Sequence, residues 1–400
     1  MNFALLRTHP RFRRLWLADL LSQTGSQVSS IALLIVVFRL RSSTAEVAGL
    51  VFCQTIPAVI FGLYAGAIID RFPKKPLLVG ADLVRALTVA SIPLVSDLWA
   101  IYLLGFLTAT ATAVFAPARQ AVIPELVEEE SRVNANALSS LTFGVMLFLG
   151  PGIGGAIAGF WSVSAAFYID SATFICSAIF LSGIAISHRA PEHKSTLRTL
   201  TKDIGAGMQY VWSHNVIAFV FFLLFIGNVS LGFWFPVLPS FNAEYLHGNN
   251  FTFGLIYSAF GLGSLLGGPL APTIVKRFTK GRIFYCTIAL DALCFIIFSL
   301  SPSLYFALGI SIVWGMVVVV LVVVYETMMQ NIIEPEFRGR VFSMGSIQFN
   351  GGMLIAQLIA INIAGVLRPE RIFLYTGCTY LSLILLASLW KSFRVLMKVS

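Results

Sequence analysis

Charge is scarce in this chain. Asp, Glu, Lys and Arg make up 11% of its 400 residues, whereas soluble globular domains carry about a quarter. So little polar surface cannot cover a water-soluble fold, and the composition points to lipid as the solvent. Metal-site chemistry is lacking as well. Five cysteines (Cys53, Cys176, Cys286, Cys294, Cys378) fall inside apolar runs at no ligand spacing, which makes them small packing residues rather than disulfides or zinc ligands. Five histidines (His9, His188, His193, His214, His247) lie in loops or at span edges, and no two of them pair within a span. A membrane-embedded enzyme would need a metal cluster or a nucleophile with its base. Such an enzyme remains only a remote alternative. No phosphate-binding Gly-x4-Gly-Lys-Ser/Thr sequence occurs either, which argues against ATP hydrolysis in this chain. The expectation is no catalytic residue, no metal and no cofactor.

Apolar length is what the chain has. Hydrophobic residues make up 58%, with 34 Phe, and a spanning helix needs roughly 20 apolar residues. Spans are expected near 15–38, 46–69, 77–95, 99–118, 138–160 and 163–186, then near 215–239, 251–275, 283–300, 303–330, 341–366 and 371–390. This predicts an all-α membrane protein with twelve transmembrane helices in two pseudo-symmetric six-helix bundles, 1–186 and 215–400. The polar stretch 187–214 between them predicts a cytoplasmic linker. Leu197, Leu200, Ile204, Met208 and Val211 recur there at three- and four-residue steps, as on one face of an amphipathic surface helix. Arg7, Arg11, Arg13 and Arg14 precede the first span without a small-residue cleavage site, so that span is expected to be retained.

The net charge of +9 sits in short loops rather than on a nucleic-acid-binding face. Of 27 Lys and Arg, 22 fall on the side of the N-terminus, the 70–76 loop, the linker and the C-terminus; four (Arg39, Arg41, Arg368, Arg371) fall opposite, and Arg85 lies within a span. Positive charge accumulates on the cytoplasmic side. Both termini are therefore expected in the cytoplasm. The halves also echo each other. Ile69-Asp70-Arg71-Phe72-Pro73-Lys74 returns as Val275-Lys276-Arg277-Phe278-Thr279-Lys280, and Arg119-Gln120 followed by Arg132-Val133 returns as Met329-Gln330 followed by Arg340-Val341. Two echoes in matching order suit a duplicated machine with one central site.

Gly66-x-x-x-Asp70-Arg71-x-x-Lys74-Lys75, between spans two and three, resembles the signature loop of the major facilitator superfamily. Pro73 stands where the family has a second glycine. The resemblance implies a cytoplasmic latch in which Asp70 grips the eleventh span, with Gly66 and Arg71 in the same loop; Lys74 and Lys75 enforce topology. Lys276 replaces the aspartate in the second copy, which predicts a weaker latch there. Gly150-Pro151-Gly152-Ile153-Gly154-Gly155 is similar to the Gly-Pro-x-x-Gly-Gly element of superfamily antiporters, which are mostly exporters, although Met146 departs from the pattern. Close helix packing alone also explains Gly150, Pro151, Gly154 and Gly155. Phe115-x-Pro117-Ala118-Arg119-Gln120, Asn134-Ala135-Asn136-Ala137-Leu138 and Phe167-Tyr168-Ile169-Asp170 resemble the enterobactin-exporter and macrolide-efflux branch.

Charges within spans cost roughly 2.5–3.5 kcal/mol each on insertion scales and default to functional hypotheses. Asp82 and Arg85, three apart on one helix face, suit an ion pair supporting the latch. Asp19, Gln23 and Gln27 form a polar stripe along span one, and Glu326 lies in span ten. The fold implied by the resemblance lines its cavity with spans one, four, seven and ten, which makes Asp19 and Glu326 the protonation candidates. Asp170 and Asp291 read as scaffold. Arg119 reads as lying at the cytoplasmic end of span four. Asn228 and Trp234 in span seven suit an amphipathic aromatic ligand, with interfacial anchoring as the alternative for the aromatics.

The function expected is secondary active export of an amphipathic small molecule, a drug such as a macrolide or a siderophore, in exchange for protons. A lipid translocator of the same fold, moving lysophospholipid, is the alternative. The proton gradient would be the energy source, with membrane lipids the other contacts. A monomer in a bacterial inner membrane is the expected setting.

Overall fold

The computed structural model describes residues 5–185, 197–275 and 277–399, with the side chains of 61–71 and 197–204 outside that description. Helices dominate. In the first half they are α1 (Pro10–Arg41), α2 (Thr44–Arg71), α3 (Lys74–Ser91), α4 (Leu98–Leu126), α5 (Arg132–Phe160) and α6 (Val163–Ser182). In the second half they are α7 (Asn215–Gly232, continued by turns to Tyr245), α8 (Asn250–Val275), α9 (Lys280–Ser299), α10 (Leu304–Ile332), α11 (Arg338–Ile363) and α12 (Pro369–Ala387). Among the described residues eleven helices are long and apolar enough to cross a membrane, and Thr44–Ile60 of α2 supplies a shorter apolar stretch. Helices suit lipid because each satisfies its own backbone hydrogen bonds.

The duplication is a matter of register. The helix pairs α2/α8, α3/α9, α4/α10, α5/α11 and α6/α12 begin at Thr44/Asn250, Lys74/Lys280, Leu98/Leu304, Arg132/Arg338 and Val163/Pro369, each pair 206 residues apart. Even a start signal repeats. Asp97 accepts a hydrogen bond from the Ala100 amide at 2.9 Å to cap α4, and Ser303 accepts one from the Phe306 amide to cap α10. In each half the third helix packs on the fourth and the sixth.

The chain divides into two compact units, Met1–Leu40 with Cys53–Leu200, and Arg41–Phe52 with Thr201–Ser400. The sequence places Arg41–Phe52 in the first half. In the structure this segment groups with the second unit, where the Thr44 and Ser240 hydroxyls hydrogen-bond. Each unit has its own apolar core, one around Phe12, Leu78, Phe115 and Leu138, the other around Val220, Leu223, Phe284 and Val324. Large apolar side chains are also exposed along the spans, among them Leu87, Leu103 and Ile179 in one unit and Leu290 and Leu358 in the other. Trp99, Trp161 and Tyr305 are exposed beside helix starts, where interfacial aromatics anchor a span.

The connecting helix runs Leu197–Ser213. Tyr210 stacks on Phe337 (ring centroids 4.3 Å apart) and its hydroxyl accepts from the Glu334 amide, while Val211 is buried. Met208, expected on the apolar face, is 44% exposed, and Trp212 beside it is more so. The helix therefore docks on the second unit through Gly207, Tyr210 and Val211, because Gly207 lets it approach Arg340 and Met344 closely. Leu197, Leu200 and Ile204 lie outside the described side chains.

Candidate functional site: two matched cavities and their buried charges

α1 and α4 meet in the first unit at an ion pair. Arg119 Nη1 lies 3.0 Å from Asp19 Oδ2, and Asp19 is only 3% exposed. Hydropathy ends span four at 118, but α4 runs on to Leu126, so Arg119 sits two turns inside the helix rather than at its end. Asp19 lies nine residues into α1, at a comparable depth from the same side. Arg119, Gln120, Gln23, Arg132, Asn136 and Ser140 line a polar cavity of about 570 Å³. Two of its walls carry buried polar atoms without a hydrogen-bond partner, Gln23 Oε1 and Arg132 Nε. Buried polar groups are normally satisfied, so this cavity is built to hold polar matter.

Deeper in the same unit, Asp82 and Arg85 form an ion pair that is wholly buried. Ser177 of α6 donates to the other Asp82 oxygen at 2.6 Å. The Arg85 guanidinium also lies over the rings of Phe115 (4.1 Å) and Phe174 (4.4 Å), a cation–π arrangement that ties α3 to α4 and α6. Asp170 is equally buried and feels the charge of Arg85, but forms no salt bridge among the described residues. It accepts hydrogen bonds from the hydroxyls of Ser29 on α1 and Thr173. Gly25 stands against Asp170 and Thr173, where a Cβ would collide.

The glycine motif of α5 has a mechanical reading. Pro151 lies inside an unbroken helix. A Cβ on Gly150 would strike the Gln27 side chain, and one on Gly154 would come within 2.8–2.9 Å of the Val28 backbone. These glycines bring α5 against α1, and Gln27 faces that contact. Gly155 is buried beside them. For the latch loop, Lys74 pairs with Glu125 and donates to the Ala121 carbonyl at 3.2 Å, tying the start of α3 to the end of α4. The side chains of Gly66, Asp70 and Arg71, at the end of α2, lie outside the described residues. Lys75 is half-buried.

The second unit has its own cavity, of about 420 Å³. Asn228 (α7), Asp291 (α9), Tyr325 and Glu326 (α10), Gln348 and Phe349 (α11) and Tyr380 (α12) line it. Shifted by 206 residues, Gln120, Ser140 and Phe143 of the first cavity become Glu326, Ser346 and Phe349 of the second. Glu326 is exposed on this wall, with no ion-pair partner among the described residues. Asp291, read from the sequence as scaffold, is a wall residue here. It is 7% exposed and accepts from Trp314 Nε1 at 2.6 Å and from the Tyr380 hydroxyl at 3.0 Å. Trp234 corrects another expectation: it lines neither cavity. It is packed among Trp314 (4.6 Å), Phe298 (5.0 Å) and Phe373 (5.9 Å), because α7 turns this face into the apolar core. Among the described residues no group of His, Cys, Asp and Glu could hold a metal ion.

Known proteins agree with this geometry. Macrolide efflux protein A of Streptococcus pyogenes is 22% identical over 377 residues, 92% of each chain. The enterobactin exporter EntS of Escherichia coli O1:K1 / APEC is 24% identical over 377 residues, 92% of this chain and 89% of its own. A mutant form of the nucleoside transporter NupG superposes with a TM-score of 0.81 at 15% identity, covering 97% of this chain and all of the other, which shows the fold alone. A family model described as transmembrane secretion effector matches residues 2–394. By that match over nearly its whole length the chain belongs to that family, and it is an integral membrane transporter of the major facilitator superfamily, not an enzyme.

Proposed function

We propose that this transporter exports an amphipathic small molecule, of the size and character of a macrolide or a siderophore, in exchange for protons. One observation carries the reading. The ion pair between Asp19 and Arg119 joins α1 to α4 on the wall of a polar cavity. A proton on Asp19 cancels the charge that holds Arg119. The guanidinium is then free to turn toward Gln23, Gln120 and water, and α1 loses its polar tie to α4. Substrate and proton thus bias the same two-state element in opposite directions, which is what exchange by alternating access requires. Export is the direction that the macrolide and enterobactin relatives support. The latch role of Asp70 and Arg71, cytoplasmic termini and a bacterial inner-membrane setting belong to the same proposal.

The test uses everted vesicles with an acid interior and a radiolabelled macrolide. Asp19→Asn should cut gradient-driven uptake about tenfold or more, because a permanently neutral residue there removes the switch. Uptake that survives both Asp19→Asn and Glu326→Gln overturns the site assignment. Uptake that survives collapse of the pH gradient overturns proton exchange. A lipid-moving reading has one observation in its favour. An apolar groove of about 440 Å³ runs along α7, α11 and α12, lined by Phe225, Ile226, Ile355 and Ile359, and Tyr380 belongs to both groove and cavity. Gradient-independent transfer of a fluorescent lysophospholipid would decide for it.

A further inference from the structure

The two units treat one position in opposite ways. Arg85 in α3 and Asp291 in α9 are 206 residues apart, the same interval as their helix starts. Phe174, whose ring carries the Arg85 guanidinium, corresponds to Tyr380, whose hydroxyl serves Asp291. The counter-charge does not recur. Asp82, which neutralises Arg85, corresponds to Ile288, a fully buried apolar residue. The first unit closes its charge internally; the second leaves a carboxylate at the wall of a cavity.

Asp291 meets a donor on each of its two oxygens. An indole N–H can only donate, and Trp314 directs it at one carboxylate oxygen while the Tyr380 hydroxyl meets the other. Among the described residues no lysine or arginine lines the cavity. Its other walls are aromatic and amide: Phe295, Tyr325 and Phe349, with Asn228 and Gln348. Aromatic faces attract cations as well as apolar bodies, and the volume falls in the usual range for a drug-sized ligand.

We propose that the cavity of the second unit is a binding site for an organic cation, such as a protonated amine on an apolar body, with Asp291 as its counter-charge and Glu326 as a second carboxylate on the wall. The proposal rests on the export reading and names the charge class of the cargo. The ammonium group gives Asp291 the counter-charge that Asp82 gives Arg85 in the first half, and the aromatic walls hold the rest.

The experiment uses the purified full-length chain in detergent with two probes of like shape and opposite charge, tetraphenylphosphonium and tetraphenylborate. Binding is read by quenching of tryptophan fluorescence, Trp314 being in contact with Asp291. The phosphonium should bind about tenfold or more tighter than the borate, and Asp291→Asn should abolish that preference. Equal affinities in the unaltered chain, or a preference that survives Asp291→Asn, overturn the proposal. Should Asp291→Asn not fold, Glu326→Gln should lower the preference severalfold and Tyr380→Phe, which keeps both carboxylates, should leave it within about twofold; an unchanged preference in Glu326→Gln overturns the proposal in that case. Gradient-driven export without charge discrimination leaves the transport reading standing and removes the cation site. Charge discrimination without any gradient-driven export does the reverse.

Discussion

The two halves of this transporter share a register and differ in how they handle charge. Five helix starts, two helix caps and six cavity-wall positions repeat at an interval of 206 residues. Arginines and carboxylates do not. The first unit pairs Asp19 with Arg119 and Asp82 with Arg85. At the places 206 residues on from Arg119, Asp82 and Arg85 the second unit has Tyr325, Ile288 and Asp291. Its polar groups serve one carboxylate instead. Duplication has kept the packing frame, which fails if altered, and let the electrostatics diverge.

The largest expected effect lies at the pair that the second unit lacks. Arg85→Met leaves Asp82 buried in the spans without its cation, and breaking a buried pair in this way costs about 3–5 kcal/mol. The double variant Asp82→Leu/Arg85→Met should recover most of that, since two apolar groups need no partner. Asp291→Asn in the second unit keeps an acceptor for its donors and should cost less than half as much. Denaturant unfolding in detergent measures all three. A single Arg85→Met as stable as the unaltered chain would show that the pair contributes nothing and that the contrast between the halves is decorative.

A smaller effect belongs to the glycines of α5. Gly154→Val places three carbons where Val28 backbone already stands within 2.8–2.9 Å of a Cβ, and overpacking of this kind costs about 1–3 kcal/mol. Gly351→Val, where a Cβ meets nothing within 4 Å, is the control in α11 and should be near neutral apart from helix propensity. Equal melting temperatures for the two variants would remove the close α1–α5 contact as the reason for the motif.

Much of this frame is legible in the chain. Scarce charge and the span lengths predict the helices, and the Ile69–Lys74 echo already carries the 206-residue interval that runs through the whole molecule. The site is less legible, for identifiable reasons. Hydropathy marks where an apolar window ends, not where a helix ends, so Arg119 looks terminal although α4 continues to Leu126. Depth counted from the shared side would have placed it level with Asp19. Rotation about a helix axis is a second blind spot. A helix apolar all round shows no preferred face, so α7 gives no sign that its continuation buries Trp234 in the core while Asn228 lines the cavity. Asp291 was findable by applying the repeat interval to Arg85, since a charge recurring at one position with its sign reversed and its counter-charge gone marks a site.

The smallest expected effect tests the repeat itself. Asp97 and Ser303 cap α4 and α10 at matching positions, but with unequal bonds: 2.9 Å to the Ala100 amide and 3.4 Å to the Phe306 amide. An ionised carboxylate also meets the positive end of the helix dipole, whereas a hydroxyl does not. Asp97→Ala should therefore lower stability by about 1 kcal/mol, and Ser303→Ala by a few tenths. Both residues stand beside an exposed interfacial aromatic, Trp99 and Tyr305, which keeps the two settings comparable. The difference should shrink in high salt for Asp97 alone, because screening weakens a charge–dipole contact and leaves a neutral hydrogen bond untouched. Equal losses that ignore salt would mean that the halves differ in sequence at this turn without differing in energy, and would confine the electrostatic asymmetry to the buried charges.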